Sequence, residues 1–214
     1  MSYSGPTIEI AGASRARRVK RRFDAVITIE DPGLPPSRRV RFHRVPHPDH
    51  LVLIFEDLDE PHPPIITATI EHVEAAISFA RERPAASLLV HCHAGIGRSP
   101  AIALAIIADR LGSGFEPEAL GELLRLRPMA VPNLLAIKHA DAALDRNGKL
   151  LALVEEWDGR HPRNRQRRAL NRQAILDAYP SLRRKHGPAR LNDSFGADRV
   201  ALKGPLSSDI EFDF

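Results

Sequence analysis

Hydrophobic positions along residues 7–150 switch between a two-residue and a three-to-four-residue period, the signature of strands alternating with helices. Thr7-Ile8-Glu9-Ile10 alternates as a short strand, and Ser14 is placed to cap a basic helix running to Arg22. Asp24 to Ile29 is β-rich and closes at Asp31-Pro32-Gly33. A proline- and histidine-rich connection from Leu34 to His50 follows, with room for an edge strand at Arg39–Arg44. Leu51 to Phe55 is unbroken in its apolar character, which predicts a strand covered on both faces. Ile66, Ile70, Val73, Ile77 and Ala80 then mark an amphipathic helix that begins at Ile65 or Thr67 and runs to Arg83, where Pro84 ends it.

Ser87 to His91 is the next strand. Ser99 to Leu111 is apolar almost all round, as a buried helix is, with Pro100 suited to its first turn and Gly112 to its end. Two further helices are predicted over Glu116–Arg125 and Pro132–Leu144, and Leu150–Trp157 fits a helix or a strand. This order predicts an α/β fold: a central, mostly parallel sheet flanked by helices.

Composition adds a boundary. At 214 residues and 43% hydrophobic, the chain fills one core of about 150 residues and leaves an appendage. The formal charge of +4 is unevenly spread, since residues 158–190 hold 10 Lys+Arg against 2 Asp+Glu. Residues 1–157 therefore form the expected domain, and 158–214 a basic C-terminal extension with one short helix near 166–178. The rest of that extension is free to stay disordered, fold back or bind a partner. One cysteine excludes an intrachain disulfide and a multi-thiolate zinc site. With no apolar run long enough to span a bilayer, the chain is expected to be cytoplasmic and off the membrane.

The chemistry concentrates at His91-Cys92-His93-Ala94-Gly95-Ile96-Gly97-Arg98-Ser99. A thiol at a strand end, followed by a glycine-bearing loop and the head of a buried helix, faces backbone N–H groups and a guanidinium. Both favour a thiolate and bind a tetrahedral oxyanion. His91 and His93 flank the cysteine, but donors on successive residues do not converge on one tetrahedral ion, so no metal and no cofactor is expected. His43, His47, His50 and His62 lie in proline-rich stretches and are expected to face solvent. Four carboxylates crowd Glu56-Asp57-Leu58-Asp59-Glu60 where a strand ends; like charges at close range raise one another's pKa, which would suit a general acid, although a solvated acidic turn has the same composition.

The nonapeptide from His91 to Ser99 resembles the His-Cys-x5-Arg-Ser/Thr loop of the cysteine-based protein tyrosine phosphatases, and the order of elements over about residues 7–150 resembles their compact, dual-specificity-like bacterial branch. The resemblance implies a phosphatase-like fold and a phosphocysteine formed on Cys92. Arg98 and the N–H groups of His93, Ala94, Gly95, Ile96, Gly97 and Arg98 would hold the phosphoryl oxygens, Ser99 would hydrogen-bond the sulfur, and His91 would orient the loop and help keep the thiol ionised. It implies an aspartate general acid as well: Asp57 is preferred for its place just beyond Phe55, with Asp59 the alternative on spacing. Asn133, in Arg127-Pro128…Pro132-Asn133, matches a segment that packs beneath the phosphate loop, and it equally suits an ordinary helix start.

The implied substrate is a phosphorylated protein, tyrosine or dual-specificity, or a small phosphomonoester. No lysine stands between Cys92 and Arg98, as a phosphoinositide reader would want. Two other classes remain open. One is a subordinate or inactive module that binds RNA or an acidic protein through 158–190; the other is a rhodanese-like sulfurtransferase, which would not need the acidic loop.

Overall fold

The computed structural model describes residues 5–42 and 48–179. His43, His47 and the part of the extension from residue 180 onward lie outside the described residues. Four strands, β1 (Ile8–Gly12), β2 (Ala25–Glu30), β3 (Asp49–Ile54) and β4 (Leu88–Cys92), form one sheet in the order β1-β4-β2-β3, all parallel. Among the described residues seven α-helices accompany it: α1 (Ala13–Val19), α2 (Ile70–Arg81), α3 (Arg98–Leu111), α4 (Glu116–Leu126), α5 (Leu134–Ala143), α6 (Lys149–Gly159) and α7 (Pro162–Asp177).

Strand alternation divides the core between the two faces of the sheet. Ile8, Ile10, Ile27, Ile29, Leu88, Val90 and Cys92 pack on one face with residues of α2 to α6. Ala11, Val26 and Leu89 face the other way, onto Ala16 and Val19 of α1. The buried helix α3 lies against the first face, with every residue from Arg98 to Ala108 buried. At that depth an Ile102→Ala change removes about 2–5 kcal/mol.

Several expected elements shift. Ser14 does not cap α1, whose N-cap is Gly12 with no side-chain cap. The helix after the acidic loop starts at Ile70, because Thr69 and His72 form a reciprocal cap there. The strand from Leu51 is not covered on both faces: β3 is the sheet edge, and Leu53 alone of its residues is buried. Its apolar run reflects contact with α2 on one side only. Arg39 to Phe42 form no strand, and Glu30 takes up their charge, accepting from Arg41 at 2.5 and 2.9 Å. Residues 150–157 are helical within α6, and α7 begins at Pro162, earlier than the 166 expected. Among the described residues no helix is long and apolar enough to cross a membrane.

Since all strands are parallel, the residues that follow them gather along one rim of the sheet. Asp31 comes from the end of β2, Asp57 from the end of β3 and Cys92 from the end of β4.

Candidate active site

Cys92 is buried at the last position of β4. Its sulfur accepts from the backbone N–H of Gly95 and from the Ser99 hydroxyl, each at 3.2 Å. The loop it opens is braced from outside. The carbonyl of His93 accepts from Ala13 N–H at 2.9 Å, that of Gly95 from Arg127 Nε at 2.9 Å, that of Ile96 from Val131 N–H at 2.8 Å and that of Gly97 from Asn133 N–H at 3.2 Å. In a planar trans peptide the carbonyl and the following N–H point in opposite directions. Carbonyls tied outward therefore turn the N–H groups of the same peptides to the inner side, where Gly95 N–H meets the sulfur, an arrangement able to receive an anion.

Two glycines are required for different reasons. Gly95 sits at φ +72°, and a Cβ there would lie 2.5 Å from the Ala11 carbonyl carbon, so both its conformation and its packing exclude a side chain. Gly97 has φ −105°, which any residue adopts. What it leaves is space, because a Cβ there would stand 2.2 Å from Asp57 Oδ2. The sequence suggests that both glycines serve the backbone turn; at Gly97 the need is to admit a carboxyl group.

Arg98, the first residue of α3, is buried, donating to the Phe55 carbonyl at 2.7 Å and pairing with Asp31 at 2.6 Å. Its Nε is buried without a hydrogen-bond acceptor and lies 4.0 Å from Asp57 Oδ2. Burial works against its charge, but Cys92, Asp57 and Asp31 more than offset this, so its pKa is raised and the cation is secure.

The two candidate aspartates part company here. Asp57 lies over the Cys92 loop, with 21% of its side chain exposed, and Oδ1 accepts from Asn133 Nδ2 at 2.9 Å. Burial pushes its carboxyl pKa up, against the opposing pull of Arg98 and Asn133. Asp59 points away, accepting from the Leu134 N–H at 2.8 Å and from Arg168 at 2.6 Å. Asn133 joins a helix start to the acidic loop: its Oδ1 caps α5 through Ala136 N–H, while its Nδ2 donates to Asp57 and to the Leu58 carbonyl.

His91 lies on the opposite face of the sheet from the sulfur, where Nε2 meets Thr28 Oγ1 at 2.8 Å. Burial lowers its pKa to about 4, so the ring is neutral at neutral pH and lends the thiol no positive charge. His93 is exposed at the mouth of the loop. His50 is not a solvent-facing loop residue: it lies on β3, and its Nε2 meets the same Thr28 hydroxyl at 2.7 Å. Beside the cysteine, Ala13, Arg17, Thr28, Asp31, Arg38 and His93 line part of a cavity of about 210 Å³.

Three residues beside the site are not marked as such by the sequence. Asp31 was legible only as a turn residue, and its position after a parallel strand was the available signal. Arg127 stood in the Arg-Pro segment without a role of its own. Arg168 was one arginine among many, and nothing local marks it.

No protein-family model matches the chain, and no curated protein matches it. Solved structures do resemble it. Tyrosine and dual-specificity phosphatases are among them. Tk-PTP in its active form is 22% identical over 67% of this chain and 94% of its own, with a TM-score of 0.48. Human DUSP28 is 16% identical over 68% and 96%, at 0.46. DUSP15 is 21% identical over 73% and 95%, at 0.47.

Proposed function

We propose that this protein is a phosphoprotein phosphatase of the tyrosine or dual-specificity kind, working through a phosphocysteine on Cys92. The observation that carries the reading is the convergence of a buried thiol, a loop with its carbonyls tied outward, and a carboxyl group seated in the space left by Gly97. A phosphoryl group entering the loop meets inward N–H groups and the unused Nε of Arg98, which supply the charge stabilisation that phosphoryl transfer requires.

In the first step the Cys92 thiolate attacks phosphorus, the phosphorus–oxygen bond to the leaving group breaks, and protonated Asp57 gives its proton to the departing oxygen. In the second, ionised Asp57 takes a proton from water as that water attacks phosphorus, and the sulfur–phosphorus bond breaks. The Ser99 hydroxyl, 3.2 Å from the sulfur, stabilises the returning thiolate. Inorganic phosphate leaves and Asp57 is again protonated. The raised pKa of Asp57 suits a group that must start each cycle as an acid. Asp59, turned toward Leu134 and Arg168, is less suited.

The substrate is a phosphorylated protein side chain or an aryl phosphate. Hydrolysis of an aryl phosphate by wild type, Cys92→Ser and Asp57→Ala, with orthovanadate as inhibitor, tests the reading. Wild-type turnover that vanadate blocks and Cys92→Ser abolishes is expected; full activity in Cys92→Ser would overturn it.

A further inference from the structure

Helix α7 has no buried residue, so burial of an apolar face does not account for its docking. It is attached through polar side chains, and most of these reach one target. Arg168, only 13% exposed, donates through one terminal nitrogen to Asp59 Oδ1 at 2.6 Å, through Nε to Asp158 Oδ2 at 3.0 Å and through the other terminal nitrogen to the Pro132 carbonyl at 2.9 Å. Asn171 Nδ2 donates to the backbone carbonyl of Asp57 at 2.7 Å. Arg172 pairs with Glu60 at 3.0 Å, and the Tyr179 hydroxyl donates to Glu56 at 2.9 Å. Arg168, Asn171 and Arg172 stand three and four residues apart and so share one face of the helix.

These contacts bracket Asp57. Arg168 holds Asp59, two residues after it, and Pro132, the residue before the Asn133 that binds its carboxyl group. Without Arg168, Asp59 keeps its bond to Leu134 N–H, but Asp158 is left 9% exposed at its side chain without its cation, and the acidic loop loses its tie to α6.

We infer that α7 is a clamp on the acidic loop and that Arg168 is a positioning residue, acting through Asp59 and Pro132 to hold the Asp57 carboxyl over Cys92. The inference rests on the reading of Asp57 as general acid, and it assigns the first stretch of the basic extension to the catalytic domain. The clamp fixes a proton donor, so its loss costs most where the leaving oxygen needs a proton most.

Kinetics on two aryl phosphates test it in the full-length chain. Phenyl phosphate leaves as a strong base and dinitrophenyl phosphate as a weak one. Arg168→Gln is expected to lower kcat/KM, which reports only the steps up to formation of the phosphocysteine, about 30-fold on phenyl phosphate and less than about threefold on dinitrophenyl phosphate. Asp59→Asn, which keeps an acceptor for Leu134 N–H, should show the same split, and the double variant should be no worse than either single one. An equal loss on both substrates, no loss on either, or additive losses in the double variant would overturn the clamp. Absence of wild-type turnover on both substrates would instead overturn the phosphatase reading.

Discussion

Two loops meet at the rim of the sheet, and they are held in opposite ways. The Cys92 loop is fixed almost wholly through its backbone: its carbonyls are taken by Ala13, Arg127, Val131 and Asn133, and its one left-handed residue is Gly95. The acidic loop is fixed mainly through side chains, from Asn133 more than seventy residues downstream and from Arg168, Asn171 and Tyr179 farther still. A backbone-held loop tolerates little change in conformation. A side-chain-held loop can be released by one substitution without disturbing the core, which suits the element proposed to carry the proton donor.

The sharpest way to break the backbone-held half is Gly95→Ala. The left-handed conformation and the overlap with Ala11 together cost about 3 kcal/mol or more, and both turnover and melting temperature should fall steeply. A variant with normal stability and normal turnover would show that the loop is not locked as described. Asn133→Ala strikes the junction between the two loops. Loss of its cap on α5 costs about 1 kcal/mol, while release of Asp57 should lower kcat about a hundredfold on a poor leaving group. Denaturation and kinetics on the same preparation separate the two effects, and a kcat loss no larger than the stability loss explains would undo the link to Asp57.

Gly97→Ala is gentler, because the backbone accepts alanine and only the Asp57 carboxyl is in the way. Stability should hold while turnover of phenyl phosphate falls about tenfold. Unchanged kinetics would mean that the carboxyl does not occupy that space during the reaction. The wild-type pH profile refines the same point: since burial raises the Asp57 pKa, activity should decline as pH rises through that pKa, and Asp57→Asn should remove this basic limb.

The smallest effect on activity is expected at His91, and it concerns stability. The ring is neutral when folded, with a pKa near 4, whereas in the unfolded chain it titrates at its ordinary 6.5. Between those values the unfolded state binds the extra proton, so stability falls as pH drops from 6.5 toward 4, by about 3 kcal/mol in all. Chemical denaturation across that window should show the slope in wild type and a shallower one in His91→Gln. Equal slopes would mean that another group carries it.

The same contrast explains what the sequence disclosed. The sheet, its parallel sense and the Cys92 loop were legible because each depends on neighbours in the chain: strand periodicity, glycine after cysteine, a buried helix behind. The edge position of β3 was not, since an apolar run such as Leu51–Phe55 does not show how many faces are covered. The place just beyond Phe55 favours Asp57 over Asp59, but the partners that separate the two, Asn133 for one and Arg168 for the other, were not legible. Spacing to Cys92 fits both. The purpose of Gly97 lay in a contact with Asp57, forty residues earlier, that no local pattern records.

The central claim is that a phosphoryl group resides on Cys92 between the two steps. Mixing Asp57→Asn with an activated aryl phosphate, quenching in acid and mapping the phosphoryl mass by peptide tandem mass spectrometry tests it most directly, because that variant forms the intermediate from a good leaving group but lacks the base to break it down. One phosphoryl group on Cys92, absent from the Cys92→Ser protein, is the predicted result. Turnover with the group on another residue, or on none, would contradict the account.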